Sequence, residues 1–124
     1  MAFLFDTFVN WQLYCAENNL SLPESVIEYE VVQNNSSKAS ILKNMQEAYA
    51  VMKDAVNTGL TEDMTSRSGM INNGAKRVFQ SNQVVLSVEF QRLISRALAA
   101  KEVNSCMGRV VAAPTAGASG ILPG

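Results

Sequence analysis

Residues 34–59 read NNSSKASILKNMQEAYAVMKDAVNTG, and their spacing decides the fold class. Ile41, Met45, Ala48, Met52 and Ala55 recur three or four positions apart in one apolar row, with Leu42, Tyr49 and Val56 in a neighbouring row. That is the 3.6-residue repeat of an α-helix and not the two-residue repeat of a strand. Ser36 or Ser37 can cap the start, because a side-chain oxygen there accepts one of the first unpaired N–H groups. Gly59 stands where a left-handed residue closes a helix.

The same period extends outward. Phe3 to Asn18 carries apolar residues at helical spacing, with Gln12 as one polar interruption, and predicts a helix ending near Asn18-Asn19. Ser21 as N-cap, Pro23 in the first turn and the early acid Glu24 predict a second helix to about Gln33. A last helix is expected from Ser81 or Asn82, with Leu86, Phe90, Leu93, Ala97 and Ala100 on one face and Glu89, Arg92 and Arg96 on the other. From Leu60 to Asn82 the period lapses into residues rich in Ser, Thr, Asn and Gly, which reads as a long loop of functional interest. Val84-Val85 could open a strand, but no second strand is available to pair with it. The expectation is one all-α domain.

Composition limits what such a domain can do. The 124 residues are 48% hydrophobic and 17% charged, too apolar for a disordered chain. No apolar run approaches the roughly 20 residues of a membrane span, and Met1 to Cys15 has no basic segment ahead of its apolar stretch, so a cytoplasmic protein without membrane contact is expected. The chain has no histidine, and Cys15 and Cys106 stand 91 positions apart, so no metal site is expected within it. The commonest general base is missing too, which places part of any catalytic chemistry elsewhere. Net charge is −1 but uneven: −5 over residues 1–35, −1 over 36–66 and +5 over 67–109. The bases fall at helical spacing without interleaved aromatics, which reads as a solvated face and not a nucleic-acid surface.

Two glycine-rich stretches break the helical pattern: TSRSGMINNGAK at 65–76 and MGRVVAAPTAGASGILPG at 107–124. The second leaves its backbone barely shielded, with Gly108, Gly117, Gly120 and Gly124 among several alanines. Glycines permit turns that aim successive N–H groups at an anion, and a helix starting near Ile121 or Leu122 would add its positive end. Thr115 and Ser119 supply hydroxyls. The same residues also suit a tight connection between packed helices. Neither GxxxxGK[ST] nor GxGxxG is present, which argues against ATP or NAD.

The run NSCMGRVVAAPTAGASGILPG closely resembles the catalytic-domain segment of the α chain of iron–sulfur-dependent bacterial L-serine dehydratase. In that family a helix ending in Glu-Val-Asn, as Glu102-Val103-Asn104 does here, leads through Met-Gly and Pro-Thr-(Ala/Asn)-Gly to a Gly-(Ile/Val)-(Ile/Leu)-Pro ending. TSRSGMINNGAK resembles the family's Thr-Ser-x-(Ser/Thr)-Gly loop. The resemblance implies the N-terminal part of an α chain, truncated within the 104–124 loop. It implies a [4Fe-4S] cluster whose ligands lie outside this chain, and partnership with a serine dehydratase β chain or domain. The implied reaction removes water from L-serine to give pyruvate and ammonia. Asn104, Thr115, Gly117 and Ser119, with Ser66, Ser68 and Gly69 from the other loop, are then the candidates for holding substrate by side-chain and backbone hydrogen bonds. A turn or cap role stands beside ligand contact for each. Two other functions fit the same residues: an L-cysteine desulfidase-type α domain, or a non-catalytic helical interaction module that forms a homodimer.

Overall fold

The computed structural model describes residues 6–82 and 87–124. The elements are α1 (Phe8–Asn18), α2 (Leu22–Asn34), α3 (Lys38–Thr61), α4 (Gly74–Gln80) and α5 (Val88–Ser105), followed by a short 3-10 turn, Ala116–Ala118. The only strand-like pairing among the described residues is an isolated bridge between Thr65 and Asn72, so the all-α expectation holds. The first apolar residues of the predicted α1 (Phe3 to Phe5), Leu86 and the Val84-Val85 alternative lie outside the described residues. The chain divides into two compact units, Met1–Gln46 and Glu47–Gly124.

In the first unit the helix ends follow their sequence signals. Thr7 Oγ1 accepts the Asn10 N–H at 3.2 Å and starts α1. Asn19 and Asn35 take the left-handed conformation, at φ 52° and 47°, and close α1 and α2. Asparagine tolerates that region better than other non-glycine residues because its short polar side chain bonds locally. Ser21 and Glu24 form a capping box: the Ser21 hydroxyl and N–H both donate to Glu24 Oε2, at 2.6 and 2.9 Å. Across the unit, Trp11 Nε1 donates to Ser25 Oγ at 2.6 Å, and Ser25 Oγ donates to the Leu22 carbonyl, so this fully buried hydroxyl is satisfied twice.

The second unit is arranged around α5. Gly59 lies inside α3, where a built Cβ would come within 2.5 Å of the Ala99 carbonyl oxygen. It therefore does not close the helix as its position in the sequence suggests; α3 runs on to Thr61, and the missing side chain lets two backbones meet. The loop expected over 60–82 contains α4, which packs on α5. The buried face of α5 also differs from expectation. Phe90 and Leu93 are about half exposed, while Ser95, Ala99, Ala100, Glu102 and Val103 are buried. Small residues face inward because the neighbouring backbones come too close for large ones. Ala55, Met64 and Val103 form the core cluster, with Cys106 and Val110 against it.

Two outcomes follow from this packing. Gly59→Ala forces a methyl against the Ala99 backbone and should cost about 1–3 kcal/mol, read as a lowered denaturation midpoint; an unchanged midpoint would show that the approach is slack. The hydrogen bonds from Ser21 hold the Glu24 carboxyl below its ordinary 4.5. Because the folded value is the lower one, the stabilisation is present above the ordinary range and lost as pH falls through the folded value. Helical ellipticity should therefore decline on acidification in a way that Glu24→Gln partly flattens; identical acid titrations of the two proteins would contradict this.

Candidate functional site

Both glycine-rich loops lie in the second unit. The first is a closed hairpin-like turn. Asn73, left-handed at φ 52°, accepts the Met64 N–H on Oδ1 at 2.6 Å and donates its own N–H to the Met64 carbonyl at 3.0 Å. Within that clasp Ser66 N–H bonds the Ile71 carbonyl, and Ser66 Oγ accepts the Ile71 N–H, each at 3.0 Å. Gly69 sits at φ 72° with its N–H on the Ser66 carbonyl, a geometry that favours glycine. Ser66 and Ser68 hydroxyls lie 3.2 Å apart, and Ser68 Oγ also takes the Met70 N–H at 3.4 Å. The Ser66 hydroxyl is therefore committed to the turn. Ser68 and Met70 stand exposed at its tip.

The second loop begins at the end of α5. Asn104 Nδ2 reaches the Ala116 carbonyl at 3.5 Å and spans the loop's mouth. Met107 is left-handed at φ 64°, and Gly108 fits against Val103, to whose carbonyl its N–H donates at 2.8 Å. A 3-10 turn forms at Ala116–Ala118, and Ile121 closes a turn on the Ala118 carbonyl. Within the loop, the Ala118, Ser119 and Ile121 N–H groups are used by its own carbonyls, donating to Thr115, Ala116 and Ala118. Gly120 and Gly124 press on Ala97 with no room for a side chain. Gly117 has room, its nearest neighbour to a built Cβ being Thr115 Oγ1 at 3.8 Å.

The two hydroxyls of this loop part company. Thr115 is exposed at the head of the 3-10 turn, and its side chain makes no capping bond. Ser119 is 4% exposed, and its Oγ has no hydrogen-bond partner. A buried hydroxyl without a partner is costly unless something else supplies one. Among the described residues no hydrogen bond joins Ser66 or Ser68 to Thr115 or Ser119. Beside the first loop stands Glu102, which sequence reasoning did not single out as a site residue. Its Oε1 accepts the Ala75 N–H at 3.2 Å, just past the first loop, and Asn104 lies two residues further along α5. The available signal was an acid on the small-residue face of α5, beside Ala99 and Val103.

Two clefts border the second loop. One, about 480 Å³, lies between α5 and the loop and is walled mainly by apolar groups, among them Leu93, Ala97, Gly117 and Ile121, with Lys101 as its charged member. The other, about 350 Å³, has Lys53 and Arg96 as the charged members of a lining that includes Val56 and Leu122. Lys53 Nζ also rests 4.7 Å from the centre of the Tyr49 ring.

A family described as "Serine dehydratase alpha chain" matches residues 17–124, which takes in both loops. The chain belongs to the serine dehydratase alpha chain family. Among its relatives, the L-serine dehydratase alpha chain of Peptoniphilus asaccharolyticus is 30% identical over 112 residues, covering 88% of this chain and 38% of that one. The probable L-serine dehydratase alpha chain of Bacillus subtilis is 31% identical over 111 residues, covering 87% and 37%. The L-serine dehydratase of Haemophilus influenzae is 30% identical over 117 residues, covering 89% and 25%. The chain thus spans less than two fifths of the length of these relatives. No solved structure matches.

The family resemblance raises the question of a cluster. Among the described residues no three His, Cys, Asp or Glu side chains come together, and Cys15 and Cys106 lie in different units. These residues do not fit a [4Fe-4S] cluster. No described helix is long and apolar enough to cross a membrane.

The orphaned hydroxyl gives a direct test. Ser119→Ala removes an unsatisfied buried oxygen and should leave stability unchanged or raise it by about 1 kcal/mol in a urea titration. A loss of more than about 1 kcal/mol would mean that Ser119 Oγ is already bonded within the folded chain.

Proposed function

We propose that this chain is part of an L-serine dehydratase and positions the substrate in it. The observation that carries the reading is family membership across residues 17–124, which includes both loops. The unpartnered Ser119 hydroxyl on one of them supports it. L-Serine must lose a weakly acidic α-proton and a poor leaving group, hydroxide; the resulting aminoacrylate hydrolyses to pyruvate and ammonia. Both losses depend on holding the amino acid in one orientation. Thr115 Oγ1 and the Asn104 amide offer hydrogen bonds to the carboxylate or hydroxyl of serine, and Gly117 leaves the backbone open to close approach. Ser119 Oγ can donate once the substrate supplies an acceptor. Ser68 and Gly69 complete the same site from the first loop, and Ser66 holds that loop's shape. The proton-accepting group, the β chain or domain and any [4Fe-4S] cluster belong to other polypeptide segments in this proposal.

The test is to purify the protein from its native source with whatever polypeptides accompany it, under anaerobic conditions, and to assay pyruvate formation from L-serine. A hydrogen bond to a charged carboxylate contributes about 1.5–3 kcal/mol, so Thr115→Val should lower kcat/KM roughly tenfold to a hundredfold. L-Cysteine as the better substrate would move the assignment to a desulfidase. No turnover of either amino acid, together with tight self-association, would replace it with an interaction module.

A further inference from the structure

Glu102 is the one charged side chain buried among the described residues, at 5% exposure, and the reading above gives it no role. Burying a carboxylate is expensive unless it is bonded, so a carboxylate in this position has work that an apolar residue could not do. Three observations show what it touches. Oε1 accepts the Ala75 N–H at 3.2 Å, across 27 positions of sequence. Gly74 makes room for that oxygen, because a Cβ there would lie 2.7 Å from it. Oε2 is buried with no partner, so Oε1 makes the carboxylate's only hydrogen bond in the described structure.

The place of that bond matters. Residues 74–75 follow the Met64–Asn73 clasp directly, so fixing Ala75 fixes where the first loop ends. Glu102 lies two residues before Asn104, whose amide spans the mouth of the second loop. An exposed ion pair, Lys76 with Asp63 at 2.9 Å, braces the first loop from its other side, but solvent screens such a pair. We propose that Glu102 is the positioning residue that holds the two glycine-rich loops in one register, with its carboxylate locked onto the start of α4. The lock rests on geometry alone. Its use, to make one substrate site from two loops, rests on the serine dehydratase reading.

Backbone amide exchange in the 124-residue protein, followed by NMR, tests the lock without requiring activity. Glu102→Ala should speed exchange at Ala75, and at Ser66, Ile71 and Asn73 in the first loop, by about tenfold, while amides in the middle of α5 keep their rates. Glu102→Gln keeps an oxygen for the Ala75 N–H and should hold those rates within about threefold of the wild type. Gly74→Ala pushes the carboxylate aside without altering α5, so it should loosen the same amides, yet add little in the Glu102→Ala background. Wild-type loop rates in both Glu102→Ala and Gly74→Ala, or full additivity of the two, would overturn the proposal. If Glu102→Ala does not fold, Gly74→Ala and Glu102→Gln still decide it. Titration with L-serine separates the two readings. Shifts at Thr115 to Ser119 that weaken about tenfold in Gly74→Ala support both. Loops that loosen as described while L-serine shifts no residue in any variant leave the lock standing and remove substrate binding by these two loops on their own.

Discussion

Close approach of backbones along α5 is the constraint on which the second unit depends. A Cβ built on Gly59 would lie 2.5 Å from the Ala99 carbonyl oxygen and one on Gly120 2.4 Å from that of Ala97, while Gly108 closes on the Val103 side chain and Gly124 on the Ala97 methyl. Dispersion contacts between backbones at this range are numerous, and they fail together if a single methyl separates the elements. The ordering of α3, α5 and the terminal loop therefore comes from absent side chains as much as from apolar ones. The cluster of Ala55, Met64 and Val103 is small by comparison.

Polar groups inside this packing are few. Ser95 Oγ donates to the Arg92 carbonyl within its own helix, as Ser25 does to Leu22 in the first unit. Among the described residues two oxygens are left over, Glu102 Oε2 and Ser119 Oγ, and they lie beside the first loop and within the second. Residues that break the rule of buried satisfaction tend to gather where a protein meets something else. The family match covers both positions.

Much of this was legible in the residues. Ser21 with Glu24, the Asn18-Asn19 stop and the long period of α3 each carry a local cause, and the helices stand where those causes place them. Where sequence reasoning failed, a distant partner decided. Gly59 resembles a helix end until Ala99 is known to lie against it. The seven residues of α4, GAKRVFQ, are too few to establish a sustained apolar repeat, and their helix packs against α5. Phe90 and Leu93 mark the obvious apolar stripe of α5, yet the small residues between them and the chain's end are the buried ones. In the candidate site, the loops themselves could be read from glycine content and family likeness. The contrast between an open Thr115 and a buried Ser119 could not, because both are small hydroxyl residues in a run of alanine and glycine.

Among the described residues, the largest side chains that are fully buried belong to Ser25 and Ser95. A core of that kind has a thermal consequence. The heat capacity gained on unfolding scales with the apolar surface released to water, and serine, alanine and glycine release little of it, against a usual increment of about 12–15 cal/mol/K per residue. Stability should then vary gently with temperature. The chain gains little from the hydrophobic term on warming and loses little of it on cooling.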